Sequence, residues 1–254
     1  MITRTKLETF FAALLHPEQY PDYGPNGLQV EGAERIETVA FAVSATRASI
    51  LQAIEHNADA LVVHHGLFWF FHGAKPITGA FGQRLIPLIK HDINLFGYHL
   101  PLDGHAEIGN AAVLGRLLSC AQQQPFGEYK GASTGIKGVL ETPVTTLTLA
   151  ERLETIVQHP VMMATPDKHR LVNTVGIITG GANSEWKAAF EQNLDVFITG
   201  EMSEYDWHDS QEHGITMLAA GHNATEQFGI KALMETTQHQ LDVECFFIRS
   251  ENPA

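Results

Sequence analysis

Apolar and polar positions follow two alternating patterns along this chain. Short runs such as VAFAVS (39–44), ALVVHH (60–65), VGIITG (175–180) and VFITGE (196–201) are almost continuously apolar until their last residues. Such runs predict strands covered on both faces. Between them lie segments with apolar residues three and four apart, SILQAIEHN (49–57) and EWKAAFEQN (185–193), which predict helices. INLFGYH and ITMLAAGH each add another apolar strand, and helices around Asn110–Leu118 and Gln227–Thr237 follow them. The N-terminal MITRTKLETFFAALLHPEQ reads as an amphipathic first helix. Glu8 interrupts its apolar part and no small-residue cleavage site follows, so it does not read as a signal peptide.

The two halves resemble each other. With Glu37 set over Asn173, an offset of 136 residues, the register holds without a gap as far as His65 over Glu201. Thr38, Val39, Ala53, Glu55, Asn57 and Asp59 then meet identical residues. The first copy carries about 14 extra residues near Trp69–Lys75. Strands alternating with helices predict an α/β fold of two repeats, with mostly parallel sheets and flanking helices. The expected organisation is a single compact unit, residues 1–254, of two repeats (about 1–126 and 127–254). The segment Cys120–Thr148 is expected to cross between them. Its VLETPVTTLTLAERL part reads as a strand and a capped helix.

In open α/β sheets, ligands gather at the carboxyl ends of strands, and the chemistry-bearing residues stand there. His64 and His65 end one strand, and Glu201 ends its counterpart. His99, Asp103 and His105 follow a third, in YHLPLDGH. His222 and Glu226, in GHNATE, follow the fourth at i, i+4 spacing, which puts imidazole and carboxylate on one helix face. Each has an ordinary reading when taken singly: paired histidines, an Asp-Gly turn, a helix-start pattern. The repeat groups them at equivalent positions. His64, His65, Asp103, His222 and Glu226 form a mixed nitrogen and oxygen donor set. It suits two divalent ions of Zn, Mn, Fe, Co or Ni rather than Ca or Mg. Five ligands leave positions for water. A metal pair roughly 3.5–4 Å apart can activate that water and stabilise a developing oxyanion. Glu201, His99 and His105 are the candidate proton carriers. Gly66 permits the chain to turn after the two histidines. The Trp69-Phe70-Phe71 run lines a cleft, forms a subunit contact or packs in the core.

Composition narrows the partners. The formal net charge is −13, so the chain is not expected to bind nucleic acid, although two divalent ions would make the site locally cationic and open to a small anionic substrate. Two cysteines imply no disulfide framework and point to a cytoplasmic setting. No run approaches the roughly 20 apolar residues of a membrane helix. There is no P-loop, GxGxxG, GxSxG or HExxH motif.

PNGLQVEG (25–32), LVVHHGLFW, YHLPLD, TGE and GHNATE, in this order along essentially the whole chain, resemble the family of GTP cyclohydrolase I type 2 homologues, also called Ngg-interacting-factor-three-like. Gly66 stands where that family often has proline. The resemblance implies one metal near His64 and His222, a second near His65 and Asp103, and Glu226 bridging them. It also implies two intertwined repeats with mixed sheets, no inserted third domain, and a toroidal homohexamer with its sites facing the interior. The function expected is a metal-dependent hydrolase acting on a nucleotide-like or other small anionic substrate. The alternative is a non-enzymatic, metal-braced oligomeric module that binds protein partners.

Overall fold

In the computed structural model, which describes residues 1–254, the apolar runs are strands of two sheets, one in each of two compact units. The first unit comprises Met1–Leu102 and Ile230–Glu251. Its sheet runs Glu244–Phe247, Thr38–Ser44, Ala60–His65, Asn94–Gly97, Gly27–Val30, with every neighbouring pair parallel except the last. Val39–Val43 and Ala60–His64 are buried throughout, which accounts for their unbroken apolar sequence. Ala42, Ile50, Ala53, Leu61, Val63, Leu88 and Leu95 form the core of this unit. The first helix, Arg4–Leu15, buries Leu7, Phe11 and Leu15 at four-residue spacing and is capped by Thr3, whose hydroxyl accepts from the Lys6 amide.

The second unit comprises Asp103–Gly229 and Asn252–Ala254. Its six strands run Cys120–Tyr129, Ala132–Thr145, Leu171–Ile177, Val196–Thr199, Thr216–Ala219, Met162–Ala164. Only the two pairings among Leu171–Ile177, Val196–Thr199 and Thr216–Ala219 are parallel, so this sheet is mixed rather than mostly parallel. The cause lies in the segment expected to cross between repeats. Cys120–Thr145 instead folds back on itself as a long antiparallel hairpin. Its two-residue turn places Lys130 and Gly131 at φ 51° and 89°, the left-handed pair that matches the twist of hairpin strands. The expected strand followed by a capped helix is present: Thr145 accepts from the Thr148 amide and opens the helix Thr146–Val157. Glu244–Phe247 pairs in parallel with Thr38–Phe41, which returns the C-terminal strand to the first unit.

Each unit ties its first parallel strand with a half-buried aspartate. Asp59 Oδ2 accepts from the amides of Glu37 and Thr38 at 2.7 and 3.0 Å. Asp195 Oδ2 accepts from Asn173 and Thr174 at 2.9 and 3.0 Å. Two residues before each aspartate an asparagine is left-handed, Asn57 at φ 53° and Asn193 at φ 55°. Asparagine tolerates that region better than most residues.

Burial pushes the Asp195 carboxyl up, but the Thr174 and Asn173 bonds and the Arg170 guanidinium outweigh it and hold it below 3.8. A carboxyl depressed on folding stabilises the fold above its unfolded value and loses that contribution as the pH falls through the folded one. Asp195→Ala should therefore cost about 1–3 kcal/mol at pH 7, because two strand amides lose their acceptor. Urea titrations should show the gap to the unmodified protein narrowing as the pH drops below 3.8.

Candidate metal centre

In the first unit the strand Ala60–His65 ends in two imidazoles, and the chain leaving Asn94–Gly97 supplies a third, His99. The ring centroids of His64 and His65 are 4.7 Å apart, and those of His64 and His99 5.1 Å. One nitrogen from each of the three lies within 4.8 Å of the other two, close enough to share an ion. His64 is fully buried, and its Nδ1 lies 3.1 Å from the Tyr98 carbonyl oxygen. A carbonyl only accepts, so the ring proton sits on Nδ1 and Nε2 presents a lone pair. His65 Nδ1 is 3.0 Å from Ser44 Oγ. His99 Nδ1 donates to Asp22 Oδ1 at 2.7 Å. Asp22 Oδ2 accepts from Asn26 Nδ2 and from the Leu100 amide, while Asn26 Oδ1 accepts from the His99 amide. Burial pushes the Asp22 carboxyl up, but the bond to His99, the charge on that ring and the other donors outweigh it and keep it below its usual value.

Gly66 serves this unit differently from the expected turn. Its backbone is not in the left-handed region. A Cβ there would run into the amide group of Gln29, which accepts from the Leu67 amide at 2.9 Å and donates to the Pro25 carbonyl at 2.8 Å. The glycine here gives room to the Gln29 amide group rather than a left-handed turn.

In the second unit, the loops after Leu171–Ile177, Val196–Thr199 and Thr216–Ala219 supply Gly180, Glu201 and His222. His222 opens the one-turn helix His222–Thr225, so Glu226 lies one turn on, buried. His222 Nε2 is 3.3 Å from Glu226 Oε1, and His222 Nδ1 is 2.5 Å from Glu201 Oε1. Neither Asn223 nor Thr225 caps that turn; the Thr225 hydroxyl bonds the Gly221 and His222 carbonyls and receives the Gly180 amide. Burial disfavours the charged His222 ring, but Glu226 and Glu201 outweigh it and raise its pKa to about 9. The pocket thus selects for positive charge. A divalent ion fits it in place of the proton on Nε2, with Glu201 holding Nδ1 from behind as carboxylates do for metal-bound histidines. Asp103, also buried, accepts from Asn110 Nδ2 at 2.9 Å and from Thr179 Oγ1 at 3.4 Å.

The expected residues fall into two sets: His64, His65 and His99 in the first unit, and Asp103, Glu201, His222 and Glu226 in the second. His105 Nδ1 accepts from the amides of Glu107 and Ile108, in the turn before the helix Asn110–Leu117. His56, His91, His169, His208, His213 and His239 are exposed, as expected of solvated histidines. His159 is half-buried, with its ring nitrogens 2.7 Å from the Pro160 and Pro253 carbonyls. Sequence reasoning missed Asp22, whose PDYG context reads as an ordinary turn, and Gly180. Only the glycine pair 180–181 at a strand end hinted at the second.

The family model Duf34/NIF3 (NGG1p interacting factor 3) matches residues 2–253. A Pasteurella multocida protein named "GTP cyclohydrolase 1 type 2 homolog" is 43% identical over 250 residues, 98% of each chain. One of the same name from Pyrococcus abyssi is 36% identical over 247 residues, covering 97% of this chain and 98% of its own. Among solved structures, protein ybgI, described as of unknown function, superposes with a TM-score of 0.91 at 39% identity over 100% of both chains. TTHA1606 from Thermus thermophilus does so with a TM-score of 0.89 at 33% identity, again over 100% of both.

Gly180 has φ 69°, and a Cβ there would collide with Glu226 Oε1 and lie 3.2 Å from His222 Nε2. Gly180→Ala should destabilise the protein by at least about 1–2 kcal/mol from the left-handed backbone alone. It should also weaken metal uptake. Denaturant titration and calorimetric metal titration check the two effects separately.

Proposed function

Because the chain belongs to the Duf34/NIF3 family, we propose that His64, His65, Asp103, His222 and Glu226 together hold two divalent ions of the Zn, Mn, Fe, Co or Ni type, in a hydrolase of small, nucleotide-like anions. The observation that carries this reading is the fixed orientation of the imidazoles. His64 and His222 each give Nδ1–H to an oxygen, from Tyr98 and Glu201, and so leave Nε2 as the nitrogen a metal would take. When bound, such a pair lowers the pKa of water and stabilises negative charge developing on the substrate. The relatives' name, GTP cyclohydrolase 1 type 2 homolog, brings a purine nucleotide into the reading.

Of the candidate proton carriers, His99 suits the role best. Its Nδ1 proton is committed to Asp22, so Nε2 can take up a proton while the carboxylate steadies the ring. Glu201 acts through His222 as a positioning residue. Asn57 with Asn193 and Asp59 with Asp195 support descent of the two units from one duplicated ancestor. A homohexamer completes the proposal and is checked by analytical ultracentrifugation.

Metal analysis of the loaded protein should give two ions per chain, and Glu226→Ala should lower that number. Glu201→Ala should weaken affinity about 10–100-fold without removing a ligand. Turnover is sought with nucleotides, folates and peptides. A substrate turned over equally well by Glu226→Ala would refute the metal mechanism. Full metal occupancy without turnover of any substrate would favour the protein-binding module instead.

A further inference from the structure

The segment inserted after the histidine pair builds a cleft that the metal reading does not use. Phe70 and Phe71 are 70% and 69% exposed, so the aromatic run is not core packing. Trp69 is half-buried, with its ring centroid 5.1 Å from that of His99 and 6.1 Å from that of His65. On one side Trp69, with Phe68 and Gln29, borders a hollow of about 10 Å³ that His64 and His99 also line. That is room for about one water. On the other side the same three residues border a cleft of about 530 Å³, within the range that takes small organic ligands.

The walls of this larger cleft are aromatic and apolar: Leu67, Phe68, Trp69 and Phe81. Phe68 and Phe81 meet edge to face at 5.8 Å. No acidic side chain lines it, although the chain has 29 aspartates and glutamates, and the one charged group is Lys75. Lys75 is held in place. Its Nζ donates to His72 Nδ1 at 3.0 Å and lies 5.4 Å from the centre of the Phe81 ring. Aromatic walls favour a flat π-system. A lone ammonium group in an otherwise acid-free cleft favours a single anionic group.

We propose that this cleft binds a planar heteroaromatic ring joined to an anionic group, the chemistry of a mononucleotide. The ring packs against Trp69 and the anion pairs with Lys75. The role of the bound molecule as substrate rests on the hydrolase reading above; its binding does not.

The experiment is calorimetric titration of the full chain with three probes: adenosine 5′-monophosphate, adenosine, and ribose 5-phosphate. Each is run on protein treated with EDTA and on protein loaded with zinc. The nucleotide should bind in both preparations, about tenfold or more tighter than either part alone. Trp69→Ala should weaken the nucleotide and adenosine about tenfold or more, in line with loss of a base stack. Lys75→Glu, a change at an exposed side chain, should weaken the nucleotide and leave adenosine unaffected. Unchanged melting temperatures for both variants separate lost binding from lost folding. The proposal is overturned if neither preparation binds the nucleotide at millimolar concentration. It is equally overturned if the nucleotide binds only with zinc and is indifferent to Trp69 and Lys75, since its phosphate would then be held by the metal alone. His222→Ala distinguishes the two readings: it should lower zinc uptake while sparing nucleotide binding by the EDTA-treated chain. If nucleotide binding follows Trp69 and Lys75 but nothing is hydrolysed, the hydrolase reading fails and the cleft stands.

Discussion

A partner that holds one imidazole nitrogen fixes the tautomer and aims the lone pair of the other, and such partners recur in both units. His64 is held by a carbonyl and His222 by a carboxylate. His99 is held by a carboxylate too, one that is itself tied by Asn26 and the Leu100 amide. Tyr98 and Glu201 stand just after strand ends, and Asp22 and Asn26 just before the antiparallel strand Gly27–Val30. The parallel strands must therefore end together for the rings to be aimed. The strand pairings are what turn a scatter of histidines into oriented donors.

The cost of this arrangement falls on the backbone next to the donors. Glu226 is buried with its Oε1 against the chain at Gly180, and any side chain there would displace it. Gln29 occupies the space beside Gly66 in the same way and bonds two backbone groups that flank the histidine pair. Two carboxylates around one imidazole leave an excess of negative charge, which raises the His222 pKa to about 9. That excess is compatible with a cation in the candidate site. It also contrasts with the acid-free cleft beside Trp69, where the fixed charge is positive. A cation site and a basic cleft on one chain both suit a ligand that carries its own negative charge.

Much of the fold was legible because burial on both faces leaves a plain mark on a strand. VAFAVS, ALVVHH and VFITGE could hardly be anything but covered strands, and their polar last residues marked where a site would open. The match of Asp59 with Asp195 was legible as well, although its physical meaning, a carboxylate closing two strand amides, was not. The Cys120–Thr145 hairpin, in the segment expected to cross between repeats, was not legible. Its alternation is weak, and the turn rests on Lys130 at positive φ, which a lysine does not advertise. The expected parallel character of the second sheet failed with it.

The sequence by itself determined which residues are candidates for the site: the histidine pair, Asp103 and the His222–Glu226 spacing follow from residue type and strand-end position, which local pattern records. Tertiary structure alone decided how those residues are held. Asp22 reaches His99 across 77 residues and Glu201 reaches His222 across 21. Tautomer, ring orientation and the shifted pKa of His222 depend on these partners. They are properties of distances in space, which residue order along the chain does not encode locally.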